Sequence, residues 1–320
     1  MDRDLVVAID LGGTRIRAAL VNSAGKVLDR RSLPTLAGEG RDSVIERILM
    51  AANQIIQTVG SERLSAIGIG APGPLDFRTG VVMSAPNLPG WHDVPLRSIM
   101  EASLGLPVVL GNDANLAAFG EATNGAGKGT DNLIYITVST GIGGGVVVDG
   151  KLLLGERGLA AEVGHMAIEA FGPTCSCGNV GCLEALASGT AIARKARERI
   201  AAGCQTIIST LLAEQGGEIT ARMVVEAAKQ DDRLAKEIME AAATYLGVGV
   251  VNLLHLFNPK MVILGGGVSH AGNLLFDPVK RVVAARAMPA YTEGLTITPA
   301  ALGDDAGLLG AAALALTSPV

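Results

Sequence analysis

Apolar runs of strand type open the chain. Residues 5–10 and 16–21 are rich in β-branched and other apolar side chains, and the Gly-containing turn 11–14 separates them. A second turn at 22–25 leads to a short apolar pair at 27–28. Short apolar runs between turn residues are typical of strands, so the start of the chain predicts a three-stranded meander.

The second half of the chain begins in the same way. A predicted strand at 132–138 is followed by a Gly-rich turn at 139–145, a returning strand at 146–148 and a turn at 149–151. Two such segments indicate a degenerate internal duplication and hence two related lobes. The other patterns predict, in chain order, helix 41–59, strand 65–70, a strand from near Pro107 to 112, a helix from there to Glu121, helices 185–202, 220–231 and 232–257, strand 261–264 and a closing helix 307–316.

Chain length also favours two lobes. The chain has 320 residues, and a single hydrophobic core usually divides beyond roughly 250–300 residues. The composition becomes rich in Gly and Asn at 111–125, which predicts the boundary there. We therefore expect a small α/β lobe over 1–115 together with the C-terminal helix of about 305–320, and a large α/β lobe over 116–304 with a cysteine-rich loop.

Charge and hydropathy argue against several classes of protein. The formal net charge is -5 and Lys and Arg do not cluster, so the electrostatic footprint of a nucleic-acid-binding protein is missing. The apolar runs are interrupted before the roughly 18 consecutive residues that a membrane span needs. The first residues enter a strand pattern without a basic region or cleavage site, so we expect no secretion signal and a cytoplasmic protein.

Three Gly-rich turns follow strand-like runs, at 10–14, 139–145 and 265–267. Glycine lets backbone N–H groups approach phosphate oxygens, a Thr hydroxyl adds a donor, and an aspartate such as Asp10 can hold hydrated magnesium. One such turn alone would be an ordinary tight turn, but two of the three occupy matching places in a duplicated unit, which favours phosphate binding. The first two lead into strands, so they are neither Walker nor Rossmann loops.

Asp113 lies in the segment 110–115, Leu-Gly-Asn-Asp-Ala-Asn, where a predicted strand ends and a helix begins. Phosphoryl transfer to a hydroxyl needs a nearby carboxylate that accepts the proton, and Asp113 suits that task. The alternative role is structural, because Asp, Asn and Ser commonly cap helix N-termini. The sequence leaves both roles open.

Three of the four cysteines, Cys175, Cys177 and Cys182, fall in one short loop, whereas Cys204 stands apart. Three thiolates and one imidazole make a closed tetrahedral zinc site, in which the metal is structural and not catalytic. The candidate fourth ligand is His165, upstream of the triplet. The alternatives are incidental buried thiols and a histidine that belongs to the core.

Together these motifs resemble those of the ROK family, which contains sugar kinases and sugar-responsive repressors. The resemblance extends over essentially the whole chain, although DLGGT alone is shared across the wider actin-like ATPase superfamily. The segments that carry it are DLGGT (10–14), GAPGP (70–74), PNLPGW (86–91), LGNDAN (110–115), STGIGGG (139–145), EVGH (162–165), CSCGNVGCLE (175–184) and the glycines of 265–267.

The resemblance implies a two-lobed α/β fold of the actin, Hsp70 and hexokinase kind, which is ribonuclease H-like, with a nucleotide and sugar cleft between the lobes. It implies Asp113 as the catalytic base. The residues implied for the sugar are Gly70, Asn87, Asn112, Asp113, Glu162, His165 and Glu184; those for ATP and Mg²⁺ are Asp10, Gly12, Gly13, Thr14, Thr140, Gly141 and Gly266; and those for structural Zn²⁺ are His165, Cys175, Cys177 and Cys182. His165 would contact the sugar with one ring nitrogen and zinc with the other.

Within the family the sequence is most similar to bacterial glucokinases, which implies ATP-dependent phosphorylation of glucose to glucose 6-phosphate. Alternatives are a kinase for N-acetylmannosamine, N-acetylglucosamine, fructose or allose, polyphosphate in place of ATP, a sugar-binding module without catalysis, and a repressor. Repressors of the family carry a helix-turn-helix domain before the DLGGT strand, and only a few residues precede that strand here. We therefore expect a kinase without nucleic-acid or membrane partners, and a homo-oligomer, either dimer or tetramer, because symmetric assemblies are common.

Overall fold

The computed structural model describes residues 4–85 and 87–318. Pro86 of the PNLPGW motif, the first three residues of the predicted small lobe and the last two of its C-terminal helix lie outside the described residues.

The strands are Leu5–Leu11 (β1), Arg15–Asn22 (β2), Val27–Pro34 (β3), Leu64–Ala71 (β4), Leu75–Asp76 (β5), Val81–Ser84 (β6), His92–Val94 (β7), Val108–Asn112 (β8), Leu133–Val138 (β9), Ile142–Val148 (β10), Lys151–Leu152 (β11), Met261–Gly265 (β12) and Thr296–Pro299 (β13). The α-helices are Arg41–Val59 (α1), Leu96–Leu104 (α2), Asp113–Asn124 (α3), Leu183–Ala187 (α4), Gly189–Ala201 (α5), Ile207–Gln215 (α6), Ala221–Lys229 (α7), Arg233–Phe257 (α8), Asn273–Arg286 (α9) and Ala306–Thr317 (α10).

Two sheets of the described chain share one topology. The first has the strand order β3-β2-β1-β4-β8, in which β1 to β3 form the predicted antiparallel meander, β4 runs parallel to β1, and β8 parallel to β4. The second has the equivalent order β11-β10-β9-β12-β13, with β12 parallel to β9 and β13 to β12. This repeated order confirms the internal duplication. The small sheet β5-β6-β7 and helices α2, α6 and α9 have no counterpart among the sequence predictions.

The central strand β1 is covered on both faces, which explains its continuous apolar sequence. Successive side chains of a strand point to opposite faces of the sheet. Val7 and Ile9 accordingly belong to the buried cluster that contains the apolar side of α1, whereas Val6 and Ala8 belong to the cluster that contains α10. Asp10, near the end of β1, and the turn that follows it are therefore attached to a strand that is covered on both faces.

Helix α10 packs closely against α3, and glycines make this approach possible. A Cβ atom at Gly310 would lie 1.7 Å from the carbonyl oxygen of Leu116, and one at Gly120 would lie 2.1 Å from that of Ala306. Both neighbours are backbone atoms of helices, so they cannot move aside as a flexible side chain would.

We expect Gly310→Ala to lower the free energy of unfolding by about 2–3 kcal/mol, because overpacking outweighs the better helix propensity of alanine. Chemical denaturation followed by circular dichroism measures this change. The matched control is Gly38→Ala, where a Cβ atom would meet nothing within 4 Å. A Gly310→Ala protein as stable as the wild type would contradict the close packing of α3 and α10.

A buried carboxylate fastens the chain before α10 to α3. Glu121 is fully buried, and its carboxylate accepts hydrogen bonds from the backbone N–H groups of Ala126 at 2.8 Å, Ala301 at 2.9 Å and Leu302 at 2.8 Å. A buried charge is tolerated when it is hydrogen-bonded in this way. The sequence alone gives no signal of this role.

Helix α8 is the long apolar helix of the described residues. By length and composition alone it is apolar enough to cross a membrane, but half of its most apolar 18-residue window is buried inside the protein. It packs against α4, α5, α7 and α9. Its composition is thus that of a central core helix.

Contacts within the chain divide it into two compact units: unit 1 comprises Met1–Asp131, Gly145–Ala161 and Ala301–Val320, and unit 2 comprises Asn132–Gly144 and Glu162–Ala300. Unit 1 includes residues 116–131 and 145–161 because α3 packs on α10 and β11 lies against α3. The lobes expected from the sequence, 1–115 with about 305–320 and 116–304, stay a prediction.

Candidate active site

Neighbouring parallel strands of unit 1 bring several predicted site residues to one edge of the first sheet. The pairing of β1 with β4 sets Asp10 beside Gly70, and that of β4 with β8 sets Ala71 beside Asn112. Asp113 follows directly. The carboxyl ends of parallel strands are a common location for ligand sites in α/β proteins.

Asp10 is buried and forms an ion pair with Arg17, a partner that was not predicted from the sequence. Its Oδ2 atom accepts a hydrogen bond from Nε of Arg17 at 3.0 Å. Burial raises the pKa of Asp10, the Arg17 guanidinium opposes that shift, and the charge of Asp304 adds to it. The other oxygen, Oδ1, faces Gly70 and Gly307, where added Cβ atoms would lie 3.7 and 3.4 Å away. Because both positions are glycines, no side chain from either of them covers Oδ1.

The turn of unit 1 that is predicted to bind phosphate is held by hydrogen bonds. A residue predicted to contact the sugar lies against it. The Thr35 hydroxyl donates to the Gly12 carbonyl oxygen at 2.6 Å, and Thr14 is exposed. A Cβ atom at Gly13 would lie 3.1 Å from Cβ of Asn87. Asn87 therefore lies directly against this turn.

Asn112, and not Asp113, is the N-cap of α3. Its Oδ1 atom accepts from the backbone N–H groups of Ala114 at 3.0 Å and Asn115 at 3.2 Å, and its Nδ2 donates to the Gly73 carbonyl oxygen at 3.2 Å. The capping alternative for Asp113 is therefore wrong, because the preceding residue fills that position. Asp113 is exposed at the first residue of the helix.

The cysteine loop, residues 175–182, holds a group of ligands in unit 2. The ligand atoms of His165, Cys175, Cys177 and Cys182 all lie within 4.8 Å of one another. The Sγ atoms of Cys177 and Cys182 are 3.8 Å apart, and Cys175 Sγ is 3.7 Å from Nδ1 of His165. Tetrahedral zinc with Zn–S bonds of about 2.3 Å requires S···S separations of about 3.8 Å, so the cluster fits this metal.

The thiols of the cluster differ in acidity. Burial raises the pKa of the Cys182 thiol to about 12, whereas the backbone N–H of Asn179 lowers the pKa of Cys177. Zinc binds thiolates, so a bound metal displaces the Cys182 proton and its affinity falls as the pH decreases.

The EVGH motif packs on β10 through its glycine. A Cβ atom at Gly164 would lie 2.0 Å from the carbonyl oxygen of Ile142. The motif forms the 3-10 turn Val163–His165, and Glu162 just before it is exposed. His165 directs Nδ1 to the cysteine cluster, which leaves Nε2 as the nitrogen for another ligand.

Residues 139–142 form a turn, called the 139–142 turn. It contains two of the residues predicted to contact phosphate, Thr140 and Gly141. The Ile142 N–H donates to Oε2 of Glu184 at 2.9 Å, and a Cβ atom at Gly141 would lie 2.3 Å from the same oxygen. Thr140 accepts from the backbone N–H of Thr190 at 3.2 Å. Glu184, predicted as a sugar contact, is thus bonded to this turn.

A cavity of about 840 Å³ lies beside the 139–142 turn, entirely within unit 2. This volume is within the range of roughly 300–1,000 Å³ that small-molecule sites occupy. Ser139 and Thr140 line it, as do Gly267 and Val268. The predicted residue Gly266 precedes them with φ +81°, and a Cβ atom there would lie 2.4 Å from the Val138 carbonyl oxygen.

Most side chains that line this cavity were not predicted from the sequence. They carry hydroxyl groups and charges of both signs, and the main ones are Thr190, Arg197, Glu218, Thr220, Arg222, Glu226 and Lys229. They belong to α5, α7 and the segment before α7, which lie outside the three Gly-rich turns singled out in the sequence. Of these residues, Thr220 alone could have been singled out from the sequence, because a threonine directly before a helix is a typical N-cap, as it is for α7.

The structure divides the predicted residues between its units. Unit 1 contains Asp10, Gly12, Gly13, Thr14, Gly70, Asn87, Asn112 and Asp113, whereas unit 2 contains Thr140, Gly141, Glu162, His165, Cys175, Cys177, Cys182, Glu184 and Gly266. In unit 1 the residues gather at one sheet edge and its adjoining turn. In unit 2 they gather around the cysteine cluster, the 139–142 turn and the cavity.

The family model of the ROK family matches residues 6–318. The chain belongs to the ROK family. A glucokinase from Thermotoga maritima is 41% identical over 312 residues, which cover 97% of this chain and 96% of that protein. A ROK family glucokinase from Streptomyces griseus, in a crystal structure with glucose and AMPPNP, has a TM-score of 0.82 and 36% identity, covering 98% of this chain and 100% of that one. A putative xylose repressor from Caldicellulosiruptor is 33% identical over 98% of this chain and 78% of its own length. These similarities confirm the predicted α/β fold of the actin and hexokinase kind.

Proposed function

We propose that this protein is a glucokinase that transfers the γ-phosphoryl group of ATP to the 6-hydroxyl of glucose. The observation that carries the proposal is the similarity, over nearly the whole chain, to the Streptomyces griseus glucokinase with glucose and AMPPNP. The 41% identity with the Thermotoga maritima glucokinase supports the same activity. The site residues below are carried over from the family motifs.

The cavity of unit 2 is the proposed site of the nucleotide. Its volume of about 840 Å³ is sufficient for a nucleoside triphosphate, and it borders the 139–142 turn at Ser139 and Thr140. Backbone N–H groups and hydroxyls of such a turn are suited to phosphate oxygens. Gly266 is proposed to lie beside the adenosine; glycine is required there because a Cβ atom would lie 2.4 Å from the Val138 carbonyl oxygen.

The proposed sugar contacts, carried over from the family motifs, are Gly70, Asn87, Asn112, Asp113, Glu162, His165 and Glu184. Asp113 serves as the general base for the attacking hydroxyl. It suits the role because Asn112 already caps α3 and leaves the Asp113 side chain exposed.

Two metal ions complete the proposal. Asp10 would hold hydrated Mg²⁺ through Oδ1, and the ion would neutralise charge on the phosphates. His165 and the three cysteines would hold structural Zn²⁺, which leaves no open coordination position. Arg17 keeps the Asp10 carboxylate in place through Oδ2.

The substrate assignment is tested by coupled ADP release with MgATP and a panel of glucose, N-acetylmannosamine, N-acetylglucosamine, fructose, mannose and allose. We expect glucose to give the highest kcat/KM by at least about tenfold, equal to about 1.4 kcal/mol of differential transition-state binding. A higher value for an N-acetylated sugar would refute the glucose assignment while leaving a kinase. A parallel series with polyphosphate tests the donor, and ATP is the expected one.

A further inference from the structure

One short segment of unit 2 connects the cysteine cluster to the 139–142 turn. It begins at Cys182, one of the proposed zinc ligands, and continues through α4 into the start of α5. Three hydrogen bonds join this segment to the turn. Glu184 accepts from the Ile142 N–H at 2.9 Å. At the other end of the turn, the Gly189 N–H donates to the Ser139 carbonyl oxygen at 2.7 Å, and the Thr190 hydroxyl donates to the Thr140 carbonyl oxygen. The segment therefore holds the turn at both of its ends.

Glu184 is the residue that contacts both sites. Its Oε2 atom accepts from the Ile142 N–H, while its Oε1 atom accepts from the Ser176 hydroxyl at 3.3 Å and lies 3.8 Å from Cys175 Sγ. Ser176 lies between two proposed zinc ligands. One carboxylate thus joins the backbone of the turn to the middle of the cysteine loop.

We infer that Glu184 is a positioning residue that couples metal occupancy of the cysteine loop to nucleotide affinity. The inference rests on the proposed kinase function and assigns to Glu184 a role toward the phosphoryl donor besides the sugar. With metal bound, the loop fixes Ser176 and α4, and Glu184 then holds the turn in its nucleotide-binding conformation. Without metal, the turn is in that conformation for a smaller fraction of the time, and the apparent Kd rises in proportion.

The coupling must also be reciprocal. If metal raises nucleotide affinity by some factor through Glu184, nucleotide raises metal affinity by the same factor. Substitution of Glu184 removes both effects together. A residue that contacted only the sugar would change neither in the absence of sugar.

The test measures the Kd of AMPPNP with Mg²⁺ by isothermal titration calorimetry, without sugar, on the full chain with and without zinc. For Glu184→Ala we expect a Kd at least about tenfold higher, as loss of a charge-assisted hydrogen bond gives. Removing zinc from the wild type with a chelator should raise the Kd by a similar factor. Removing zinc from Glu184→Ala should have no further effect.

Ser176→Ala is the second variant, because it keeps Glu184 and every proposed ligand. It should raise the nucleotide Kd about threefold, a typical loss for one exposed hydrogen bond, and leave the glucose Kd unchanged. The matched control is Glu169→Ala, whose carboxylate accepts from the Tyr245 hydroxyl at 3.2 Å. It should leave the nucleotide Kd at the wild-type value.

The outcomes separate the inference from the proposed function. If the wild type binds nucleotide and phosphorylates glucose, but both variants bind nucleotide as it does, the coupling role is overturned and the kinase stands. The role is also overturned if zinc removal raises the Kd equally in the wild type and in Glu184→Ala. A wild type that neither binds nucleotide nor phosphorylates any sugar overturns the proposed function and the inference with it.

Discussion

Asp113→Asn should lower kcat by about 10²- to 10⁴-fold, the usual loss when a general base is removed. In the wild type the Ala114 N–H donates to Oδ1 of Asp113 at 2.8 Å. An amide has nearly the size of a carboxylate, and its oxygen can still accept this hydrogen bond. It cannot take up the proton of the sugar hydroxyl. We therefore expect glucose and nucleotide to bind within a few-fold of the wild type while turnover is lost. Rapid-quench single-turnover kinetics measures the chemical step directly.

The control for Asp113→Asn is Asp42→Asn. Asp42 is likewise an acidic residue in the first turn of a helix, α1, so this change removes the same favourable interaction with a helix N-terminus. We expect it to leave kcat unchanged. Turnover of Asp113→Asn close to the wild-type value would remove Asp113 from the role of base.

Cys177→Ala should abolish zinc binding and lower the apparent melting temperature by roughly 5–15 °C, because a metal bound far above its Kd stabilises the folded state. Three remaining ligands leave a coordination position open, which a structural zinc site does not tolerate well. Glucose affinity should fall as well, since His165 would lose the metal that orients its ring. Metal analysis, differential scanning fluorimetry and glucose titration measure the three effects.

Cys204→Ala provides the control, because Cys204 lies outside the cluster of ligands. It should keep one zinc ion per chain and the melting temperature of the wild type. Freshly purified wild-type protein without zinc, or a Cys177→Ala protein with full zinc content, would contradict the structural metal site.

Much of the fold could be predicted from the sequence because it rests on local periodicity. The helix at 41–59 and the buried strand β12 were evident from apolar spacing, and the Gly-rich turns marked the start of each repeat. The shared strand order of the two sheets then confirmed the duplication. Strands β5 to β7 and helices α2 and α6 were not predicted, because a pattern over so few residues is weak evidence. Helix α9 has 14 residues but contains Pro278, which is unusual inside a helix, and it was not predicted either.

The chemistry of the candidate site was predicted in the same uneven way. The cysteine spacing with His165 upstream pointed to a metal cluster, and the ligand atoms do converge. The capping role of residue 112 instead of 113 was undecidable, since Asn and Asp are both good N-caps. Only the backbone at the end of β8 decides which of the two begins the helix.

The sequence by itself determined most of the elements and the repeat, which depend on neighbours along the chain, and its motifs supplied the candidate residues through their resemblance to the ROK family. The tertiary structure alone decided the partnership of Arg17 with Asp10, the burial of Glu121 and the bond between Glu184 and Ile142. The cavity lining from α5 and α7 likewise exists only once those helices pack. In each case the contact joins side chains to groups on other strands, helices or loops, and local pattern contains no information about which of those the fold brings together.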